Sequence, residues 1–398
     1  MQATSDQMQA LPDIKHSFDL TEDQRMIRDM VREFTLAEVA PIAAEIDEEH
    51  RFPVQTWDKM VELGLPGIPF PEDYGGAGGD TLSYAIAVEE LSRACGSTGL
   101  TLAAHVSLGT YPIYRWGNQR LKDDYARKLI AGEYMGAYGL TEPNAGSDSG
   151  GTQTSAVRDG DEYVLNGRKC FITNANYAHT FICTAVTDRS LGPKGISAFV
   201  VPKDTPGFSL EKGEVKLGMR GSDWASLVFE DARIPADHLL GPEGEGFTTF
   251  MKTLEGGRIS IGALALGIAQ GAYDCAVQYS NEREAFGKKL NQQQAVQFKL
   301  ADMAVQVEAA RHLVYHAARL KDAGEAYGTQ ASMAKLYASE VSMRVTYDAI
   351  QIYGGMGFSR EYPVERMWRD AKLCTIGEGT SEIQRLIIAR SILRGLPS

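Results

Sequence analysis

Apolar residues recur at helical spacing through the first third of the chain. Thr21 followed by Gln24 forms a candidate capping box for the first helix. The apolar positions behind it are Met26, Ile27, Met30, Val31 and Phe34. Similar spacing predicts helices over residues 54–63, 82–94 and 120–131. The chain therefore begins with a helical domain.

The pattern changes to short runs of β-branched residues between about residues 138 and 240. Strands are predicted over 154–158, 162–165, 168–172, 181–187, 196–201 and 225–229. Asp159-Gly160-Asp161 is predicted to join the first two. Asn166-Gly167, a typical two-residue hairpin sequence, is predicted to join the second and third. This region is predicted to be a β sandwich or barrel.

Helical periodicity returns after residue 247 and persists to the end. One long helix is predicted around Leu300 to Val314, and another over 335–351, which Gly354-Gly355-Met356-Gly357 ends. Residues 381–393 are predicted to form the last helix. Blocks of helices, strands and helices indicate an α+β protein. We expect domains at 1–137, 138–246 and 247–398, the last a helical bundle.

Composition excludes several functional classes. The 398 residues carry 40 Lys and Arg against 52 Asp and Glu, a net charge of −12, which argues against binding a nucleic-acid backbone. The five cysteines are scattered and predict no disulfide framework. Residues 1–17 resemble no targeting sequence, and the apolar stretch 261–269 is too short to span a membrane. We expect a cytoplasmic protein that does not bind membranes.

Common catalytic motifs are missing from the sequence. It contains no GxGxxG, no GxxxxGK[ST] and no GxSxG, so a Rossmann fold, a P-loop and a serine hydrolase gain no support. His312 and His316 are four residues apart on a predicted helix, but no third metal ligand accompanies them. Surface histidines explain this spacing more simply, so no metal is predicted.

Two glycine-containing loops are candidate ligand sites. Residues 140–148 lie at the boundary between helices and strands, and their backbone amides and hydroxyls suit a phosphate or a polar ring edge. An ordinary inter-domain loop explains them equally well. Glu378 stands between Gly377 and Gly379, ahead of an apolar helix. It is either a functional carboxylate or one that only complements the helix dipole.

Six separated segments together resemble the acyl-CoA dehydrogenase family. They are YGLTEPNAGSD (138–148), KCFITN (169–174), NEREAFG (281–287), QIYGGMGF (351–358), RDAK (369–372) and IGEGTSEIQR (376–385). The resemblance extends from Phe18 to Leu393. It implies an N-terminal helical domain, a middle β domain and a C-terminal four-helix bundle, in the order that the residue patterns predict independently.

The resemblance also implies a reaction and its cofactor. An acyl-CoA thioester would be desaturated between its α and β carbons, with FAD accepting the hydride and an electron-transfer flavoprotein receiving the electrons. Glu378 would be the catalytic base. Its backbone N–H, with a ribityl hydroxyl of the flavin, would bind the thioester oxygen as an oxyanion hole does.

Further residues are assigned by the same resemblance. The implied cofactor-binding residues are Leu140, Thr141, Ser147, Phe171, Thr173, Arg283, Phe286, Gln294, Gln351, Gly355 and Thr380. The implied substrate-binding residues are Ser147, Arg258, Gly377 and Gly379. Arg283 would pair with the FAD pyrophosphate across a subunit interface, which implies a homotetramer built as a dimer of dimers.

The sequence departs from family patterns at three positions. Phe171 stands where many relatives have Trp, and Gly257 stands where some relatives place the base. Gly377 replaces the Tyr that often precedes the base in straight-chain relatives. The missing ring leaves a branched, bulky or aromatic acyl group open. The alternatives to a dehydrogenase are an oxygen-using acyl-CoA oxidase and a relative that has lost its flavin.

Overall fold

The computed structural model describes residues 20–394. The expectation about a targeting segment in residues 1–17 lies outside them, as does Phe18. Helix α1 (Glu22–Phe34) begins at Thr21, whose hydroxyl accepts from the Gln24 N–H, while the Gln24 side chain accepts from the Thr21 N–H. The predicted capping box is thus confirmed.

The first part of the chain is helical, as predicted. Its α-helices after α1 are α2 (Ala43–Glu48), α3 (Val54–Glu62), α4 (Thr81–Ala94), α5 (Gly96–Ala103), α6 (Tyr111–Trp116), α7 (Gln119–Leu121) and α8 (Arg127–Ile130). Short π-helical turns follow α1, α5 and α7. The helix predicted over 120–131 is therefore one run that contains a π-helical turn at Lys122–Ala126.

The middle part is one seven-stranded sheet. Its strands are β1 (Gly136–Gly139), β2 (Ser155–Asp159), β3 (Glu162–Thr173), β4 (Thr180–Val186), β5 (Ile196–Pro202), β6 (Phe208–Lys212) and β7 (Trp224–Pro235). The order is β1-β4-β2-β3-β7-β6, and β5 also pairs with β4. Strands β1 and β6 were not predicted, because each has only four or five residues without a clear alternation.

The hairpin predicted at Asn166-Gly167 is wrong. Strand β3 continues through these residues, and its register against β7 shifts between Leu165 and Gly167. The Asn166 side chain accepts from the Asp231 N–H at 2.8 Å, which satisfies the partner strand at this bulge. A Cβ at position 167 would meet Thr154, so only glycine fits here. The same Asn-Gly pair that suits a hairpin therefore serves a bulge.

Long helices make up the last part. They are α9 (Gly246–Glu282), α10 (Gln294–Asp322), α11 (Gly328–Tyr353), α12 (Pro363–Cys374) and α13 (Ser381–Leu393), with the small hairpin β8 (Glu284–Ala285) and β9 (Lys288–Lys289) after α9. Helix α9 packs against α10, α11 and α12, and α13 packs on α11. By length and composition α9 could cross a membrane, but 89% of its most apolar window is buried inside the protein.

The two helical parts share one hydrophobic core. Helix α4 of the first part packs along α9 of the last, and their buried residues belong to one cluster. The sheet has a second cluster of its own. All five cysteines are free and buried, four of them within these two clusters. Helices α4 and α9 pack together, and α9 lies beside the turn before α13 that contains Glu378.

Candidate active site

Glu378 occupies a strained turn between α12 and α13. Its φ is +55° and that of Gly379 is +92°, so two successive residues are in the left-handed region. Glycine adopts this conformation at little cost, but a glutamate does so at a cost in energy. Thr380 caps α13, because its side chain accepts from the Ile383 N–H at 3.4 Å. A strained residue at such a position is typical of a functional site.

Glu378 is half-buried as a residue, but one oxygen of its carboxylate is fully enclosed. This atom, Oε2, has no hydrogen-bond partner. Burial raises the pKa of Glu378 from 4.5 to about 7, although the positive charges of Lys335 and Arg258 act in the opposite direction. A carboxylate with such a pKa can accept a proton near neutral pH. The dipole-only alternative for Glu378 does not explain this burial.

Side chains from three elements surround this carboxylate. Tyr84 on α4 donates to the Ala103 carbonyl at 3.1 Å, and Tyr138 on β1 donates to the Phe250 carbonyl at 3.1 Å. Burial raises the pKa of both phenols, with a further contribution from Glu378. Arg258 on α9 is buried, and its Nη1 lies 3.4 Å from the Ser332 hydroxyl. Arg258 interacts electrostatically with Glu378, and its contact with substrate stays a prediction.

Gly257 on α9 lies directly beside Glu378. A Cβ added at position 257 would overlap Glu378 Oε2, far inside the van der Waals contact distance, and would lie 3.2 Å from Leu108 Cδ2. Position 377 is different, because a Cβ there would meet only Leu373, at ordinary contact distances of 3.6 Å or more. The carboxylate can therefore keep this position only while residue 257 is glycine.

A second group of predicted residues lies where β1 meets β3. The Thr141 carbonyl accepts from the Cys170 N–H at 2.9 Å, which brings the 140–142 loop beside Phe171. Phe171 has φ +61° and remains 50% exposed, with its ring 5.1 Å from that of Trp224. Thr173 is half-buried at the end of β3. The exposed ring and the adjacent loop leave an open polar and aromatic surface.

A buried ion pair between Lys169 and Glu142 holds this loop against the sheet. Lys169 is fully buried, and its ammonium donates to Glu142 Oε1 at 2.7 Å and to the hydroxyls of Thr152 and Thr184. Burial by itself would raise the pKa of Glu142, but the Lys169 ammonium and hydrogen bonds from Lys169, Thr152 and Thr154 lower it to about 2. Lys169 also donates to the Leu140 carbonyl at 3.4 Å. Ser147, farther along the loop, is exposed.

The remaining predicted cofactor residues lie on the surface of the chain. They are Arg283, Phe286, Gln294, Gln351 and Gly355, and all are exposed. Phe286 is 98% exposed and has φ +54° at the tip of the β8–β9 hairpin. The structure does not bring this group into contact with Glu378.

Within residues 20–394, no group of three or more His, Cys, Asp or Glu side chains has metal-binding geometry. His312, one of the two histidines considered, lies 3.3 Å from Glu308 on the same helix. His316 is exposed.

Three family models together match nearly the whole described chain. The acyl-CoA dehydrogenase N-terminal domain matches residues 21–133, the middle domain residues 137–232 and the C-terminal domain residues 244–393. The chain belongs to the acyl-CoA dehydrogenase family. It is accordingly an oxidoreductase, and the resemblance drawn from its six motifs is confirmed.

Individual relatives cover almost all of the chain. A short-chain specific acyl-CoA dehydrogenase of Clostridium acetobutylicum is 54% identical over 377 residues, 95% of this chain and 100% of that protein. The structure of butyryl-CoA dehydrogenase from Megasphaera elsdenii has a TM-score of 0.94 and 46% identity, and the match covers 95% of this chain and 100% of that one. A chain from a structure described as the electron transferring flavoprotein of Acidaminococcus fermentans matches with a TM-score of 0.94 and 51% identity, again over 95% and 100%.

Sequence reasoning missed several residues of this site. Gly257 was noted only for lacking a carboxylate, and Lys335, Tyr84, Trp224 and Gln384 received no role. The position of Lys335 in the sequence did indicate a special role, because this lysine lies on the buried face of α11 among alanines and serines. A lysine on such a face needs a buried partner. The identity of that partner could not be read from the sequence.

Proposed function

We propose that this chain desaturates a short acyl-CoA thioester between Cα and Cβ, with Glu378 as the base that removes the α-proton. The observation that carries the proposal is the buried, unpaired Glu378 Oε2 atom together with the elevated pKa of this carboxyl. A short chain is favoured by the names of the relatives from Clostridium and Megasphaera. Ser147, Arg258, Gly377 and Gly379 are proposed to contact the substrate.

The residues near β3 fit a flavin. Phe171 offers a half-exposed aromatic face next to the loop of Leu140 and Thr141, and backbone groups of that loop can bond to a polar ring edge. Thr173 and Thr380 complete the proposed site within one chain. When bound, FAD supplies a hydride acceptor, which no amino-acid side chain can replace.

The protein's own contribution is to move the proton and to stabilise charge. Removal of an α-proton from a thioester leaves negative charge on the carbonyl oxygen, and a correctly placed donor lowers that barrier. We assign this task to the Glu378 backbone N–H. The Oε2 atom of Glu378 is enclosed, and the buried phenols of Tyr84 and Tyr138 interact electrostatically with this carboxylate, so we assign them to the walls that keep water from its proton-accepting atom.

The direct test follows the flavin spectrum without oxygen. Butyryl-CoA should bleach the bound flavin of the purified holoprotein, and electron-transfer flavoprotein should then reoxidise it. The structure described for Acidaminococcus supports this choice of acceptor. Oxygen should reoxidise the enzyme much more slowly. Turnover with oxygen as fast as with the flavoprotein would make the chain an oxidase, and a colourless protein would indicate loss of the cofactor.

Arg283→Ala should weaken FAD binding at least about ten-fold, because an arginine–phosphate pair contributes roughly 1.5–3 kcal/mol. Arg283, Phe286, Gln294, Gln351 and Gly355 are proposed to meet FAD across the interface of a homotetramer. The variant should lose flavin on gel filtration, and added FAD should partly restore its Tm. Arg233→Ala, which removes an exposed arginine bound to Asp159 and Glu162, is the control. A holoprotein that sediments as a monomer would contradict the shared site.

Gly377→Tyr should lower the preference for branched or bulky acyl-CoAs over butyryl-CoA by about ten-fold. An aromatic side chain brings on the order of 150–250 Å² of surface, and position 377 has room for a Cβ. The measurement is the ratio of kcat/KM for the two substrates in wild type and variant. An unchanged ratio would mean that residue 377 does not determine specificity.

We also propose that the enzyme is cytoplasmic. Within residues 20–394 one helix, α9, is long and apolar enough to span a membrane, and most of its apolar window is buried in the protein core.

A further inference from the structure

The strained turn at Glu378 is bound from two sides through its carbonyl groups. Lys335 Nζ donates to the Gly379 carbonyl at 2.7 Å. Gln384 Nε2 donates to the same carbonyl at 2.9 Å and to the Glu378 carbonyl at 3.2 Å. Both side chains are fully buried. The carbonyls of Glu378 and Gly379, the two residues with positive φ, thus accept all three hydrogen bonds.

These hydrogen bonds explain how Glu378 is held in a left-handed conformation. Such conformations persist only where surrounding structure determines them. Lys335 comes from the middle of α11 and Gln384 from the first turns of α13, so two rigid helices fix the turn. Neither side chain bonds to the carboxylate itself, whose Oε2 remains without a partner. The clamp therefore positions Glu378 without using up its proton-accepting atom.

Lys335 also brings a positive charge. The groups that interact with it electrostatically are Cys374 on α12, Glu378, Arg258 on α9 and Glu382 on α13. Burial lowers the pKa of Lys335 to about 8, which leaves the ammonium mostly protonated at neutral pH. A buried ammonium is costly, and a structural bond to a carbonyl could be made by a neutral donor.

We propose that Lys335 and Gln384 are positioning residues for the base, with Gln384 fixing the main chain of the turn and Lys335 both fixing it and stabilising the ionised carboxylate through space. The proposal rests on the role of Glu378 given above. Neither residue touches the reacting atoms. Their removal should therefore change the geometry and the titration of Glu378 rather than abolish a chemical step.

The first test compares pH profiles of kcat/KM. In the wild type, activity should rise with pH as Glu378 ionises near pH 7. Lys335→Met should move this rise to higher pH by about one unit, because an opposite charge nearby favours the ionised form. Arg258, Tyr84 and Tyr138 remain beside the carboxylate in both proteins. Lys335→Arg keeps the positive charge, so its activity should rise at nearly the same pH as in the wild type.

A second readout does not use activity. The difference in Tm between each protein and its Glu378→Gln variant, measured from about pH 5 to about pH 9, reports the titration of Glu378 alone. A carboxyl whose folded pKa is raised above its unfolded value favours folding when protonated. Its contribution is full below pH 4.5 and is lost as pH rises through about 7. With Lys335→Met this loss should extend to higher pH.

Ser339→Ala is the matched control. Ser339 is on the same helix and is fully buried, and its hydroxyl lies 2.6 Å from the Lys335 main-chain carbonyl and 2.8 Å from the carbonyl of Cys374, the last residue of α12. Loss of these neutral contacts should leave both pH profiles unchanged. The same alkaline shift in Ser339→Ala and Lys335→Met would overturn the proposal, since general loosening of α11 would then explain it.

Gln384→Leu tests the positioning of the Glu378 main chain separately from the charge of Lys335. It removes the bonds to both carbonyls but keeps Lys335, so kcat should fall about ten-fold or more without an alkaline shift. This variant also carries the test if Lys335→Met does not fold. Wild-type kinetics in Gln384→Leu, or an unshifted profile in folded Lys335→Met, would reject the clamp. If Glu378→Gln remained active, the proposed function itself would fail, which is a distinguishable outcome.

Discussion

Glu378→Gln should slow reduction of the bound flavin by butyryl-CoA by about 10²- to 10⁴-fold, the usual effect of removing a general base. The amide keeps the shape of the side chain but cannot accept the α-proton. The main-chain bonds from Lys335 and Gln384 to the turn are independent of the side chain, so fold and FAD content should be retained. Stopped-flow absorbance of the flavin under anaerobic conditions gives the rate directly.

Glu382→Gln is the matched control for this experiment. Glu382 is an exposed carboxylate four residues along the chain, in the first turn of α13. Its replacement should leave the rate unchanged, because it is not enclosed in the pocket. Flavin bleaching by Glu378→Gln at nearly the wild-type rate would show that another group removes the proton, and the assignment of Glu378 would be withdrawn.

Gly257→Ala should lower kcat by about 100-fold, although it adds only one methyl group. The new Cβ would overlap Glu378 Oε2, and the carboxylate would have to move. A displacement of about 1 Å at a reacting group can cost about 10² in rate. The methyl would also lie 3.2 Å from Leu108 Cδ2, closer than an ordinary contact, so this side offers no free space. Single-turnover flavin reduction again reports the effect.

Gly377→Ala distinguishes this steric effect from a general intolerance of side chains near Glu378. Residue 377 directly precedes Glu378, but a Cβ there meets Leu373 at no less than 3.6 Å. This variant should therefore react within a few-fold of the wild type. Equal losses in Gly257→Ala and Gly377→Ala would mean that flexibility of the turn, rather than overlap with the carboxylate, limits the rate.

Local patterns predicted the elements of this protein well where one signal dominated. The capping box at Thr21 and the last helix, Ser381–Leu393, are found where they were predicted. Both depend on contacts within a few residues, which periodicity and capping chemistry describe directly. Asn166-Gly167 failed for the opposite reason. Its sequence suits both a hairpin and a bulge, and pairing with Asp231 on β7 decided between them.

The candidate site divides in the same way. The sequence placed Glu378 between two glycines and, through its resemblance to the family, named it as the base. It could not show that Gly257 must lack a side chain or that Lys335 bonds to the turn, because each contact joins a helix to a turn far away in the chain.

By itself the sequence determined the order of helices, strands and helices, the family and, through the resemblance, the residue proposed as the base. Tertiary structure alone decided how that residue becomes reactive. Burial raises its pKa, Gly257 leaves it room, and two side chains from α11 and α13 fix its backbone. Each of these effects depends on distance in space and on exclusion of water, which arise only when helices far apart in the chain pack into one core.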